Sequence, residues 1–429
     1  MVRNSIYKCN YCNCLLRLRY QVGYFNIPVS IYCPKCNCHI SGTIVIDNKN
    51  TTISENIIGA TETNNKDYNY VLELATEFLI DKYKQRDETT DVQMSMFVRR
   101  GFTTPSKNQR MQNLLYFVNQ SDIYINKIEN IYNLLSTNRV DLIRKYFLNT
   151  NENILVELNK HNNANNIINE LDAMLATKHY VNSLLQPIMP EGVFNNMYQI
   201  MNEKTRRIVK KHVLSVKDYL NNLDNDYFKT YLFKMPSYII DYIKCVDQLL
   251  PVYDNFDKFG NIDFTKQGVS TISIDDLAVL YKKGFELLCD SIDLLVGLYN
   301  IETNGTYNHF DTGIYDFNER LNGMGSKYNK YEYFTNNNSD LFDGIRGVLN
   351  NIIRNAEGHN SIFTDGLNQE VTFINKTKNG TKTYKTSFLE FGKMCVDLFT
   401  AILYIWEYYY QFTKFKSVLI DGVKLHYGK

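Results

Sequence analysis

The sequence predicts a mainly α-helical protein. It has a small β ribbon at the N-terminus, a helical middle domain and a C-terminal four-helix bundle with an inserted β-hairpin. Three observations predict this. Six of the nine cysteines fall within the first 38 residues, in two copies of one short pattern. From Asp67 onward apolar residues recur at helical spacing. The C-terminal part holds two capping patterns around an Asn-Gly turn.

The chain has 429 residues and 50.2 kDa, enough for several domains. Lys and Arg total 47 against 46 Asp and Glu, a net charge of +1, which excludes a strongly basic coat or an acidic tail. Contact with nucleic acid would then come from local patches. Hydrophobic residues at 44% mark a globular chain. No apolar leader follows Met1, so no signal peptide is visible. The most apolar stretch, Cys395 to Phe412, is short and carries Asp397 and Glu407, so no membrane span is expected. The expected location is the cytoplasm.

The two cysteine copies are Cys9-Asn-Tyr-Cys12-Asn-Cys14 and Cys33-Pro-Lys-Cys36-Asn-Cys38. Each C-x2-C turn sets two thiolates on one side of a tight knuckle, and two knuckles complete a tetrahedral S4 site. Cys9, Cys12, Cys33 and Cys36 are the expected ligands of a structural Zn2+. Leu16–Tyr20 and Ile40–Ile46 suit strands after each knuckle, and residues 1–47 resemble a zinc ribbon. The alternative, a disulfide framework, belongs to secreted chains. Cys14, Cys38 and His39 are left spare. Cys245, Cys289 and Cys395 stand singly in apolar helical patterns, as core thiols do.

Residues 48–66 are Asn/Thr-rich and aperiodic and predict a linker. A helical middle domain is expected over 67–225, beginning with Tyr70, Val71, Leu72, Leu74, Phe78 and Leu79 and broken at Pro187 and Pro190. The bundle is expected over 226–429. Pro236-Ser237 opens a helix that Pro251 ends. Ser273-Ile-Asp-Asp276 caps a second, running to about Tyr299. Leu341, Ile345, Val348, Leu349, Ile352 and Ile353 form the apolar face of a third. A hairpin turns at Asn379-Gly380, and Ser387-Phe-Leu-Glu390 is a capping box for the last helix.

The third helix ends on Ile353-Arg354-Asn355-Ala356-Glu357-Gly358-His359-Asn360, an R-N-x3-H sequence with Asp365 shortly after it. The motif and its helical frame resemble the HEPN superfamily, helical bundles that include metal-independent endoribonucleases of toxin and abortive-infection systems. The resemblance implies a catalytic pair, Arg354 and His359, with Asn355 orienting the His or the phosphate. It also implies a homodimer, because two motifs line one cleft in that family. Departures are the length of the bundle, its 301–340 loop and the hairpin. A purely structural alternative makes Gly358 the helix terminator and His359 a ligand of the last carbonyls.

A histidine can move protons near neutral pH and an arginine can hold a developing phosphorane, so the motif suits RNA cleavage without metal. A second R-x4-H match, Arg207 to His212, lies in a basic run. There Lys204, Arg206, Arg207, Lys210 and Lys211 read as a solvated cationic face or an RNA phosphate contact. Gly323-Met-Gly325-Ser-Lys327 lacks the spacing of a phosphate-binding loop. The expected function is an RNA endonuclease acting as a toxin or antiviral effector, with RNA as substrate and a trigger protein or nucleic acid bound by the ribbon or middle domain. The alternative is a non-catalytic helical sensor whose zinc ribbon binds nucleic acid or protein.

Overall fold

The structure, a computed structural model, describes residues 2–21, 25–47, 52–86, 105–149, 152–223, 225–255, 261–378 and 380–428. The chain is mainly helical with small sheets. It forms two compact units that interleave along the sequence. The first takes residues 1–119, 244–282 and 350–396; the second takes 120–243, 283–349 and 397–429. The boundaries expected at 67 and 226 therefore do not separate them. Helices Ile274–Ser291 and Phe388–Leu419 each begin in the first unit and continue in the second. An unbroken apolar helix gives no local sign of the place where it changes core.

In the first unit β1 (Val2–Cys9) and β2 (Leu15–Gln21) pair antiparallel, with Val2 opposite Gln21. A second antiparallel set is built from β3 (Ile27–Tyr32), β4 (His39–Asp47) and β5 (Thr52–Ile58). The expected ribbon strands are thus present, but the β structure does not stop at residue 47. The 48–66 segment, expected as a linker, carries β5 and β6 (Ala60–Thr63), and β6 pairs with β1. Its residues 48–51 lie outside the described residues. β5 is an edge strand that alternates exposed and half-buried side chains, so its polar composition hid it. Tyr70–Leu74, expected as helix, is strand β7, parallel to β2. Val71 to Leu74 are all buried, and a short run buried on both faces carries no period that separates strand from helix.

The C-terminal segment of this unit holds the motif helix Asn351–Gly358, the strand Ile362–Asp365 and the hairpin Glu370–Thr377 with Gly380–Ser387. The expected hairpin is there with Thr377 opposite Gly380, although Asn379 lies outside the described residues. The capping box is also formed. The Ser387 amide donates to Glu390 Oε2 at 3.0 Å and the Glu390 amide to Ser387 Oγ at 3.1 Å.

The second unit is helical. Its core is lined by the later turns of the last helix, where Trp406, Tyr409, Tyr410 and Phe412 are buried. Tyr242 stacks on Phe399 with ring centres 3.8 Å apart. Lys178 and Glu407 form a buried ion pair, and Gln411 Nε2 donates to Glu407 at 2.7 Å. Pro236, expected to start a helix, lies inside helix Asn225–Ile243 of this unit, and Pro251, expected to stop it, lies inside helix Val246–Asn255 of the first unit. The 301–340 loop is mostly ordered structure, with a short hairpin at His309–Ile314 and helices Phe317–Asn322 and Lys327–Thr335. The long helix expected across 341–353 is not formed. Gly344 and Gly347 stand at φ +74° and +73°, which stops helix propagation. A side chain at Gly344 would also run into the Tyr404 ring.

Candidate functional site

The two cysteine knuckles are built alike. In the first, the Asn13 amide donates to the Cys9 carbonyl at 3.0 Å and the Cys9 amide to the Cys14 carbonyl at 2.9 Å. In the second, Asn37 donates to Cys33 at 2.8 Å and Cys33 to Cys38 at 2.9 Å. Both turns pass through a left-handed asparagine, Asn13 at φ 58° and Asn37 at φ 59°, a conformation that asparagine tolerates well. The Sγ atoms of Cys9, Cys12, Cys33 and Cys36 all lie within 4.8 Å of one another, with Cys9 to Cys36 at 3.7 Å and Cys12 to Cys33 at 3.6 Å. A tetrahedral S4 site with metal–sulfur bonds of about 2.3 Å has edges of about 3.8 Å. The four thiols therefore fit a metal ion, and all nine cysteines are free of disulfides.

Burial opposes ionisation of Cys9, but hydrogen bonds from the Cys12 and Tyr11 amides and from the Cys36 and Cys12 thiols outweigh it and bring this thiol down to about 7. Cys14 and Cys38 close the knuckles through their carbonyls. The ring of His39 stacks on Tyr32 at 4.8 Å and meets Ser30 Oγ at 3.0 Å through Nε2, and burial lowers its pKa.

The R-N-x3-H motif occupies one short helix and its exit. Asn350 caps the start, its side chain accepting from the Ile352 amide at 2.9 Å. Ile353 and Ala356 face the core; Arg354 and Asn355 are half-buried, and His359 is exposed. The Arg354 guanidinium donates to Asn355 Oδ1 at 2.9 Å. Gly358 is the last helical residue, but it does not take the left-handed position of the exit. Asn360 takes the left-handed position at φ 49°, its amide donating to Glu357 at 3.2 Å while the Ser361 amide donates to Ala356 at 2.8 Å. This is a Schellman exit with asparagine where glycine is usual, and it makes His359 the C-cap. Asp365 belongs to the next turn, where it accepts from the Asn368 amide at 3.1 Å.

Sequence inspection missed Lys282. Its ammonium pairs with Glu357 at 2.5 Å and lies 3.9 Å from the point where a Cβ on Gly358 would stand. It comes from the helix Ile274–Ser291, far away in the chain, so spacing could not reveal it.

The basic run lies in the second unit, with Lys204 just before helix Thr205–Lys211 and the other four on it, so the structure does not bring it into one unit with the motif. Arg207 is held by Glu302 and Asp340, and Lys204 by Asp343 and the Asp340 carbonyl. Arg206, Lys210 and Lys211 are exposed and have no ion pair among the described residues. The Gly323–Lys327 segment is a helix-to-helix turn. Ser326 caps the following helix, and Lys327 pairs with Asp290. No helix among the described residues is long and apolar enough to cross a membrane. Compared with known proteins, the chain matches no family model, no curated protein and no solved structure.

Proposed function

We propose that the protein is a metal-independent endoribonuclease of the HEPN type, acting as a toxin or antiviral effector in the cytoplasm. The observation that carries the reading is the motif helix: Arg354 lies within it, His359 is its C-cap, Asn355 is bonded to the guanidinium, and His359 is exposed. His359 would take the proton of a 2′-hydroxyl. The 2′-oxygen then attacks the neighbouring phosphorus, and the bond from phosphorus to the 5′-oxygen breaks. The products are a 2′,3′-cyclic phosphate and a 5′-hydroxyl. Arg354 presents a fixed fork to the non-bridging oxygens. The single histidine of the motif leaves the leaving oxygen without a proton donor, so the active form is a homodimer in which a second copy of the motif completes the cleft. The four-cysteine site holds a structural Zn2+, since four thiolates leave no open position. Arg206, Lys210 and Lys211 supply phosphate contacts.

The test is cleavage of RNA by the purified protein with magnesium withheld, followed by analysis of the product ends. Wild type is expected to cut and leave a cyclic phosphate, and folded His359→Ala is expected not to. Equal cleavage by the two proteins, or none by wild type on any RNA tried, overturns the reading.

A second reading is a non-catalytic sensor whose ribbon binds a trigger protein or nucleic acid. It is favoured by Tyr11 and Ile58, which are 70% and 73% exposed. The Asn10 amide, donating to the Gly59 carbonyl at 3.1 Å, ties their two turns together. This reading leads if no cleavage is found.

A further inference from the structure

The two knuckles share a backbone but differ in what their left-handed asparagine does. The Asn13 side chain is exposed and makes no hydrogen bond among the described residues. The Asn37 side chain reaches another segment of the same unit. Its Oδ1 accepts from the Gly366 amide at 2.8 Å, and its Nδ2 donates to the carbonyl of Thr364 and, at 3.4 Å, to the Thr364 hydroxyl. The carboxamide thus stands in for a peptide group of a neighbouring strand, using both its donor and its acceptor on one turn.

That turn continues from the motif. Hydrogen bonds of side chain and backbone link Asn37 to the segment that ends at His359. Thr364 is in the strand Ile362–Asp365, which pairs with Glu370–Thr377. The Ile374 amide donates to the Ser361 carbonyl at 3.0 Å. Ser361 then closes the helix exit through Ala356, and its hydroxyl donates to the His359 carbonyl at 3.2 Å. The Tyr32 ring, one residue before Cys33, also packs edge-on against Phe388 with centres 5.7 Å apart. The left-handed turn that aims Asn37 is fixed by the knuckle closing on Cys33 and Cys38, and Cys33 and Cys36 belong to the four-thiol cluster.

We infer that Asn37 is a positioning residue that links metal occupancy of the four-cysteine site to the order of the segment 359–366, so that the ribbon acts as a metal-dependent brace for the His359 end of the motif. The link is thermodynamic. Whatever fixes the knuckle also favours the docked turn. It does not depend on the protein being a ribonuclease.

The experiment is amide hydrogen exchange on the full chain loaded with zinc, comparing wild type, Asn37→Gly and Asn13→Gly, with zinc content measured alongside. Glycine keeps the left-handed turn and removes only the carboxamide. Asn37→Gly is expected to keep about one zinc per chain. Its amides over 359–366 should exchange about tenfold faster or more, because the three hydrogen bonds of the carboxamide to the turn are lost. Asn13→Gly should leave that segment unchanged. Stripping zinc from wild type with a chelator should speed the same amides. If Asn37→Gly loses its zinc, Asn37→Asp, which keeps the acceptor and loses the donor, replaces it and is expected to give a smaller increase. Unchanged exchange over 359–366 in the zinc-loaded Asn37 variant, or in stripped wild type, overturns the inference. Cleavage activity enters neither arm, so failure here is separate from failure of the ribonuclease reading.

Discussion

Arg207 grips Asp340 with both amino groups of its guanidinium, at 2.9 and 2.8 Å, while its Nε donates to Glu302 at 3.0 Å. One of the five cations of the basic run is therefore committed to its own chain, and Lys204 is tied to the same loop.

The run should accordingly divide under mutation. Arg206→Ala, Lys210→Ala and Lys211→Ala should weaken RNA binding and flatten its salt dependence, since each releases fewer counterions. Arg207→Ala should change binding less and instead lower stability by about 0.5–1 kcal/mol, as fits a half-exposed ion pair. The hydrogen bond from Arg207 holds the Asp340 carboxyl below its usual range against the opposing effect of burial. This contribution is present above the ordinary carboxylate pKa of about 4 and fades as the pH falls through the lowered value. Salt-dependent binding and acid unfolding curves of wild type and Arg207→Ala check both statements.

Metal content should follow the geometry of the thiols. Cys12→Ser or Cys36→Ser should lose the metal, whereas Cys14→Ser and Cys38→Ser should keep about one zinc per chain. Metal analysis after gel filtration decides it, and retention by Cys12→Ser or loss by Cys38→Ser would sink the ligand assignment.

The motif pair should separate chemistry from stability. His359→Ala should lower cleavage about 10²–10⁴-fold, as loss of general acid–base catalysis does. Arg354→Ala should cost a comparable factor. His359 is exposed, so its removal should leave the melting temperature nearly unchanged. Single-turnover cleavage and thermal melts on the same preparations provide the comparison.

The buried pair Lys178–Glu407 should respond asymmetrically. Lys178→Met leaves Glu407 buried without its cation and should cost about 3–5 kcal/mol, while Lys178→Met with Glu407→Leu should recover much of that loss. Denaturant unfolding of both variants tests it.

The sequence made some of this legible and hid the rest for physical reasons. Cys9, Cys12, Cys33 and Cys36 were readable because a knuckle is a local spacing rule. The Ser387–Glu390 box was readable because both partners sit within one turn. Strand Tyr70–Leu74 was not, because a strand buried on both faces has no alternation. β5 was not, because an edge strand can be mostly polar. The helix expected through Leu341 to Ile353 failed because its apolar spacing was real while two left-handed glycines interrupted the backbone. Lys282 beside Glu357, and Asn37 against Gly366, are contacts between segments far apart in the chain, which no local pattern encodes.

The interleaving of the two units sets an order of assembly during synthesis. Strands β1 to β7 and all four clustered thiols have been made by residue 74, yet Thr364 and Gly366, the partners of Asn37, come far later. At about 5–20 residues per second, roughly 15–60 s pass between the two events. Throughout that interval Asn37 lacks the turn on which it docks, although Ser270, whose carbonyl accepts from the Ser30 amide at 2.8 Å, is made earlier. All four clustered thiols are therefore made before the contact of Asn37 with Thr364 and Gly366 can form, and the helix exit at His359 is among the last pieces of its unit to be made.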